Sequence, residues 1–156
     1  MIGVIFVCLG NICRSPMAEA IFADLVEKAG LASHFRIDSA GTAGYHVGEA
    51  PHPGTRRILQ QHNIPYQGRA RRFERRDFDR FDYIIALDDG NLADLQWMDS
   101  GKNHHRKLHR LLDFARHTRR RNVPDPYYTG DFEGVYRMVR DGCQGLLEHI
   151  RAEHNL

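Results

Sequence analysis

Apolar and polar residues along this chain fall into segments with two different spacings. Residues 2–7 are apolar and mostly β-branched, which predicts a strand buried on both faces. Over residues 17–29 apolar side chains recur every four positions, which predicts a helix that Gly30 ends. Ser15 before Pro16 is typical of a helix start, so we expect Ser15 to be the N-cap residue.

The same alternation of strand and helix patterns continues to the end of the chain. Five further segments are predicted: strands at 35–39 and 83–87, helices at 53–63 and 91–98, and a candidate fourth strand at 107–114. A last long helix begins near Asp131, and its apolar face includes Cys143, which we therefore expect in the core. Alternating strands and helices predict one α/β domain over residues 1–156, with a parallel sheet and helices on both faces.

The segment CLGNICRS, residues 8–15, is called the opening loop here and directly follows the first predicted strand. Parallel sheets bind ligands at the carboxyl ends of their strands, so this position favours a functional role. Gly10 lets the loop curl until successive backbone N–H groups point into one cup for an anion. Arg14 can add a bidentate guanidinium to a tetrahedral oxyanion. The loop matches neither a Walker motif nor a dinucleotide fingerprint, and it predicts a phosphate or arsenate cradle.

Cys8 lies at the base of this predicted cup and is the candidate nucleophile. Beside a helix N-terminus and an arginine, its thiol is expected to be largely thiolate at neutral pH. A thiolate in that place can attack a bound phosphoryl group, and Ser15 can donate a hydrogen bond to the sulfur. The Cys-x5-Arg spacing suits five residues wrapped around one ion, with Arg14 closing the ring.

Transfer of a phosphoryl group from a phenol or alcohol needs a proton donor for the leaving oxygen. Asp125 lies between two prolines in the segment VPDPYYTGDFEG, and those prolines restrict the backbone that carries its carboxyl group. Tyr127 and Tyr128 add aromatic surface for a substrate with a ring. An ordinary turn before a helix would also explain an Asp-Pro pair, so the sequence leaves both interpretations open for Asp125.

Composition and charge narrow the remaining function classes. Hydrophobic residues make up 42% of the chain, no apolar run reaches membrane-spanning length, and no secretory signal is apparent, which predicts a cytosolic protein. Three cysteines argue against a disulfide scaffold. Residues 69–80 and 104–121 are basic, but the net charge is only +2. We therefore expect solvated faces or surfaces for acidic substrates, and neither a nucleic-acid nor a membrane partner.

Four motifs together resemble the low-molecular-weight protein tyrosine phosphatases over essentially the whole chain. They are VCLGNICRSPMAEA at the start, DSAGTAGYHVGEAPHP at 38–53, ALDDGNL at 86–92 and DPYY at 125–128. The resemblance implies a three-layer fold with a four-stranded parallel sheet and a phosphate-binding loop after the first strand. It implies metal-independent hydrolysis of phosphotyrosine and small aryl phosphates through a phosphocysteine, without a cofactor.

The resemblance also implies roles for individual residues. Cys8 would be the nucleophile, Arg14 the phosphate clamp, and Asp125 the general acid and then the base. The residues that line or support the phosphate-binding loop would be Leu9, Gly10, Asn11, Ile12, Cys13, Ser15, Ser39 and Asp88. The pocket rim would carry Tyr45, Tyr127 and Tyr128. Partners would be phosphotyrosine proteins, with inorganic phosphate or similar oxyanions in the loop.

Two positions bear on how this chain differs from its relatives. Some family members carry a histidine after the second helix that joins the loop's hydrogen bonds, whereas NIPYQGRARR here has none, so the support must differ. The related phosphoarginine branch has threonine at the position of Ile12 and lacks the tyrosine pair. Ile12 together with Tyr127 and Tyr128 therefore favours phosphotyrosine.

Other readings of the same residues stay open at this stage. An arsenate reductase could use a similar cup, but it needs further cysteines to pass a disulfide onward. The cup could belong to a binding module, or the basic segments could bind nucleic acid. A zinc site is also conceivable, from His104, His105, His109 and His117. Finally, Cys13 is predicted to trap oxidised Cys8 as a reversible disulfide, because the two thiols share a tightly curled loop.

Overall fold

Four parallel strands form one sheet at the centre of the molecule. The structure, a computed structural model, describes residues 1–156. The strands are β1 (Ile2–Cys8), β2 (Phe35–Gly41), β3 (Tyr83–Ala86) and β4 (Leu108–Arg110), in the spatial order β2-β1-β3-β4. β1 pairs in parallel with both β2 and β3, so it occupies the centre of the sheet. The chain leaves β1 first to one side and later to the other, which is the topology that opens a ligand crevice at the carboxyl ends.

Side chains of β1 alternate between two separate apolar clusters. Val4, Phe6 and Cys8 belong to the larger cluster, whereas Ile5 and Val7 belong to the smaller one. This alternation follows from the two-residue period of a strand, and it buries both faces of the sheet. The apolar run at the start of the chain is thereby explained, because a central parallel strand has no face in water.

Helices cover both faces of the sheet, which confirms the predicted three-layer α/β fold. The larger cluster is covered by α1 (Arg14–Lys28), α2 (Pro53–Gln61) and α6 (Phe132–His154). The smaller one is covered by α3 (Asp77–Arg80) and α4 (Asp89–Met98), and a short α5 (Pro126–Thr129) lies after the last strand. Cys143 is fully buried on α6, as predicted. None of these helices combines the length and the apolar character that a membrane crossing requires.

Three details of the sequence prediction were wrong or incomplete. Helix α1 begins at Arg14 and not after Ser15, and the residue at its cap position makes no side-chain cap hydrogen bond. The hydroxyl of Ser15 instead contacts Cys8, so it is not available as an N-cap. The fourth strand is limited to three residues, because residues 111–114 form a 3₁₀ turn packed beneath α6. The short helices α3 and α5 carry no apolar period long enough to be recognised.

Candidate active site

A cavity of about 230 Å³ opens at the carboxyl edge of the sheet. Its wall combines the opening loop, the segment after β2 and the start of α5. The residues that line it are Cys8, Leu9, Gly10, Ile12, Cys13, Arg14, Tyr45, His46, Asp125, Tyr127 and Tyr128. The structure thus brings together the predicted nucleophile, clamp, acid and three rim tyrosines, from segments more than a hundred residues apart. Only His46 was not singled out in the sequence.

The backbone of the opening loop turns its carbonyl groups outward and leaves its N–H groups free. The carbonyls of residues 8, 9, 12 and 13 accept hydrogen bonds of 2.8–3.0 Å from the N–H groups of Thr42, Ala43 and His52 and the hydroxyl of Thr55. In contrast, none of the N–H groups of residues 9–13 donates a hydrogen bond within the protein. The predicted anion cup requires unpaired donors of this kind in one curled segment.

Asn11 holds the curled conformation of the loop. Its φ angle of 58° lies in the left-handed region, which asparagine tolerates better than most residues. Its Nδ2 donates to Ser15 Oγ at 2.8 Å and to Ser39 Oγ at 3.0 Å. Its Oδ1 accepts from the backbone N–H of Arg71 at 2.9 Å. The side chain therefore stabilises a backbone geometry that is unfavourable by itself, and it lies behind the cup, not in the pocket.

The sulfur of Cys8 and the hydroxyl of Ser15 are 3.0 Å apart, and both residues are buried. Asn11 already donates to Ser15 Oγ, so the hydroxyl hydrogen of Ser15 is free to point elsewhere. Its nearest acceptor is the Cys8 sulfur, since the carbonyl oxygen of Ala40 lies farther away, at 3.5 Å. Ser15 is thus oriented as a donor to the candidate nucleophile.

Two residues that sequence reasoning missed, Glu19 and Tyr66, complete this hydrogen-bond chain. Ser39 donates to Glu19 Oε1 at 2.5 Å, and the Tyr66 hydroxyl donates to the same oxygen at 2.8 Å. Burial raises the pKa of Glu19, and it also raises the pKa of Tyr66. Glu19 follows Ser15 by one helical turn, which was a usable signal, but nothing in the sequence pointed to Tyr66. Tyr66 lies in the segment NIPYQGRARR, where the sequence offered no histidine, and it supports the hydrogen-bond chain from there.

Arg14 is buried, and its guanidinium is held along one edge. Nη1 donates to Asp88 Oδ2 at 2.6 Å and to the carbonyl oxygen of Val123 at 2.9 Å. Nε is buried without a partner, and Nη2 makes only a long contact of 3.5 Å with Asp125. Burial alone would lower the pKa of Arg14, but the Cys8 sulfur, Asp88 and Asp125 raise it, so the group stays charged. The fork of Nε and Nη2 is therefore available to an anion.

Asp125 lies at the pocket wall, where it begins α5. Its Oδ1 accepts from the N–H of Tyr127 at 3.0 Å, and its other oxygen faces Arg14. The side chain is 23% exposed, so it can exchange a proton with a bound group or with water. Tyr127 and Tyr128 are exposed beside it, and Tyr45 is exposed on the opposite side of the cavity. The rim therefore offers aromatic surface to a planar substrate.

Cys13 differs from Cys8 in its surroundings, although both thiols line the cavity. Burial, together with the charges of Asp125 and Cys8, raises the pKa of Cys13 to about 12. Both cysteines are free in the structure. A thiol in this state is a poor nucleophile, so Cys13 is not a second candidate for that role beside Cys8.

The histidines considered for a zinc site are spread over other contacts. His104 stacks on Phe78, and His105 Nδ1 lies 2.7 Å from Asp99 Oδ2. Across the chain, no group of three or more His, Cys, Asp or Glu side chains could hold a metal ion. The structure therefore does not bring these histidines together.

Comparison with known proteins agrees with this geometry. Residues 3–156 match the family described as "Low molecular weight phosphotyrosine protein phosphatase". The low molecular weight protein-tyrosine-phosphatase YfkJ of Bacillus subtilis is 50% identical over the whole of both chains. The phosphatase PtpA of Staphylococcus epidermidis is 45% identical over 100% of this chain and 98% of its own.

Solved structures show the same similarity in three dimensions. The crystal structure of YfkJ superimposes with a TM-score of 0.95, covering 98% of this chain and 96% of that one. A Drosophila arginine phosphatase superimposes with a TM-score of 0.89 at 33% identity, covering 97% of this chain and 98% of that one. The shared fold therefore includes enzymes named for two different phosphorylated residues. With this coverage and identity, the chain belongs to the low molecular weight phosphotyrosine protein phosphatase family.

Proposed function

We propose that this phosphatase hydrolyses phosphotyrosine through a phosphocysteine formed on Cys8. The observation that carries the proposal is the arrangement of donors around the sulfur. The five residues after Cys8 have unpaired N–H groups, and Cys8 lines the cavity together with Arg14, whose Nε has no partner. Such donors stabilise the equatorial oxygens of a phosphoryl group in transfer, where charge is spread over three oxygens.

In the first step the Cys8 thiolate attacks phosphorus in line with the departing phenol oxygen. The sulfur–phosphorus bond forms while the phosphorus–oxygen bond to the ring breaks. Asp125 gives its proton to the leaving oxygen, which would otherwise depart as a phenolate. The carboxyl group of Asp125 faces the guanidinium of Arg14, which holds the phosphoryl group beside the donor.

In the second step water releases the phosphoryl group from the enzyme. Asp125, now ionised, removes a proton from the water as the oxygen attacks phosphorus and the bond to sulfur breaks. The hydroxyl of Ser15 stabilises the Cys8 thiolate as it leaves. Inorganic phosphate is the product that then occupies the cup, and the same donors would hold similar oxyanions.

Support for phosphotyrosine over phosphoarginine comes from the pocket wall. Ile12 presents an apolar side chain in the opening loop, and three tyrosines stand at the rim. Aromatic rings pack favourably against such surfaces, so a phenyl phosphate gains more apolar contact than a guanidine phosphate does. Because the chain is similar to an arginine phosphatase, a substrate panel has to compare phosphotyrosine with phosphoarginine.

The test is hydrolysis of matched phosphotyrosine, phosphoserine and phosphoarginine peptides in the presence of a chelator. We expect turnover of the phosphotyrosine peptide, none above background for Cys8→Ser, and a loss of roughly 10²–10⁴-fold for Asp125→Ala. Asp131→Asn is the matched control, because Asp131 is a nearby carboxylate that only begins α6. Retained turnover in Cys8→Ser would refute the phosphocysteine, and faster hydrolysis of phosphoarginine would refute the substrate assignment.

Other parts of the proposal rest on the sequence. Cys13 is proposed as the partner that protects oxidised Cys8 as a disulfide. The cytosolic location and a single domain over residues 1–156 stay predictions. Arsenate reduction gains no support from the third cysteine, because Cys143 is fully buried on α6 and donates weakly to the carbonyl oxygen of Ala18.

A further inference from the structure

The basic segment at residues 104–121 divides into two groups at opposite edges of the sheet. Arg106 precedes β4 and therefore lies at the edge where the parallel strands begin. The arginine triplet, Arg119, Arg120 and Arg121, follows β4 and leads directly toward Asp125. The triplet therefore lies on the same side of the sheet as the active site, whereas Arg106 does not, a distinction that the sequence could not make.

The backbone that carries the triplet is anchored on both sides. Before it, the carboxylate of Asp141 on α6 accepts bonds of 2.6–3.1 Å from the N–H groups of Arg116, His117 and Thr118. After it, Asn122 Oδ1 accepts from the N–H of Asp89 at 2.6 Å. Three residues held between such anchors lose less conformational entropy on binding than a free loop does.

The triplet carries positive charge that no acid in the protein neutralises. All three side chains are exposed, and none forms an ion pair. Neighbouring arginines are paired instead, Arg116 with Glu148 and Arg110 with Asp89. Hydrogen bonds from Arg110 and Asn122, together with the charge of Arg121, lower the pKa of Asp89. The nearest acid is thus already engaged, and the triplet remains available to an outside anion.

The distance to the active site suits a substrate peptide. Arg121 and Asp125 are four positions apart in the chain, so their Cα atoms are at most about 14 Å apart. Four residues of an extended substrate peptide span the same distance. Side chains within about four positions of a phosphotyrosine seated in the cup therefore come within reach of the triplet.

We propose that the arginine triplet recognises acidic side chains that flank the phosphotyrosine of protein substrates. The inference rests on the proposed function, because the phosphotyrosine in the cup fixes which flanking residues meet the triplet. A peptide fits better than a nucleic acid, since three charges on one short segment and a net charge of +2 supply little attraction to a long polyanion. The triplet acts as a specificity surface and takes no part in the phosphoryl transfer.

The test compares four substrates: p-nitrophenyl phosphate and three phosphotyrosine peptides of equal length with acidic, neutral or basic flanks. For the wild type we expect kcat/KM to fall in the order acidic, neutral, basic, with the differences nearly gone in 1 M salt. Replacing all three arginines by glutamine should lower kcat/KM for the acidic peptide roughly tenfold, as expected for three exposed ion pairs. The same variant should change the neutral peptide and p-nitrophenyl phosphate less than twofold.

A matched variant separates local recognition from overall charge. Arg80, Arg106 and Arg151 are exposed at the opposite edge, and replacing them by glutamine removes the same total charge. We expect this control to keep the full preference for the acidic peptide. Equal losses in both variants, or equal kcat/KM for acidic and neutral peptides in the wild type, would overturn the inference. The inference would also be overturned if RNA binding in a gel shift required the triplet while the preference for the acidic peptide did not.

Failure of the proposed function gives a different result. A wild type that hydrolyses neither p-nitrophenyl phosphate nor any of the peptides would refute the phosphatase mechanism itself. Hydrolysis of all substrates without regard to their flanks would refute only the role of the triplet. The same set of assays therefore distinguishes failure of the phosphatase mechanism from failure of the triplet's role.

Discussion

Removing the hydroxyl of Tyr66 tests whether the hydrogen-bond chain behind the opening loop stabilises the protein. The hydroxyl donates to Glu19 Oε1 at 2.8 Å, and a Tyr66→Phe variant keeps the ring while deleting this one donor. A hydrogen bond to a charged group contributes about 1.5–3 kcal/mol. A loss of roughly 2 kcal/mol corresponds to a fall in Tm of about 4–8 °C for a protein of this size.

The same variant has a pH dependence whose sign follows from Glu19. Burial raises the pKa of Glu19 above its ordinary value of 4.5, while Ser39 and Tyr66 oppose that rise. A raised pKa means that the contribution of this carboxyl to stability is greatest below pH 4.5 and is lost as pH rises through the folded-state value. Without Tyr66 the folded-state pKa rises further. The destabilisation should therefore be small near pH 4.5 and largest by pH 8.

The assay is urea unfolding between pH 5 and pH 8, for Tyr66→Phe, Glu19→Gln and the double variant. A glutamine at position 19 still offers an oxygen to Ser39 and Tyr66 but carries no charge. In that background the loss of the hydroxyl should cost less and should not vary with pH, and the double-mutant cycle measures the difference. Gly68→Ala provides an independent route, because a Cβ there would overlap the Tyr66 hydroxyl and displace it.

Two results would refute this reasoning. One is a Tyr66→Phe destabilisation that is equal at pH 5 and pH 8, which would mean that the hydroxyl does not interact with an ionised Glu19. The other is an equal cost in the wild-type and Glu19→Gln backgrounds. Either result would show that Tyr66 acts only through the packing of its ring.

Three further changes probe other parts of the structure. Arg14→Lys keeps the charge but loses the fork, so kcat should fall about 10²–10³-fold in steady-state assays; a smaller change than tenfold would contradict the clamp. Cys13→Ser should recover less activity with thiol after mild peroxide, measured against wild type, whereas equal recovery would remove its protective role toward Cys8. Gly145→Ala should lower stability by about 1–3 kcal/mol in urea unfolding, because a Cβ there would overlap the carbonyl oxygen of Phe114; unchanged stability would show that α6 can shift.

The sequence predicted best what local chemistry determines. Cys8, Gly10 and Arg14 lie within seven positions, and an anion cup needs only a short loop between a strand and a helix. The central strand could be predicted equally well, because a strand that is buried on both faces has a continuous apolar run. The parallel sheet with helices on both faces then followed from general rules, and the structure confirms it, whereas the order of the strands was not predicted.

The sequence did not reveal contacts that depend on distant packing. Tyr66 and Glu19 are 47 positions apart, and their meeting depends on the missing side chain of Gly68. For Ser15 the sequence predicted both an N-cap and a hydrogen bond to the Cys8 sulfur, and only the N-cap was wrong. A serine before a proline is a good N-cap by itself, but the buried sulfur of Cys8 competes for the same hydroxyl. The helix-capping propensity of a serine is overridden where a functional group, here the Cys8 sulfur, contacts the same hydroxyl.

Asp88, which is partly exposed, orients the buried guanidinium of Arg14. A buried ion pair contributes little net stability, because desolvation offsets most of the attraction. The two carboxylate oxygens of Asp88 nevertheless make different contacts. Oδ1 accepts from the N–H of Asn91 at 2.7 Å, which makes Asp88 the N-cap of α4. Oδ2 accepts from Arg14 Nη1. The helix therefore determines the position of the carboxylate, and the carboxylate determines which edge of the guanidinium is occupied. The opposite edge keeps Nε without a partner and Nη2 with only a long contact to Asp125, so under the proposed function the ion pair serves phosphate binding more than folding.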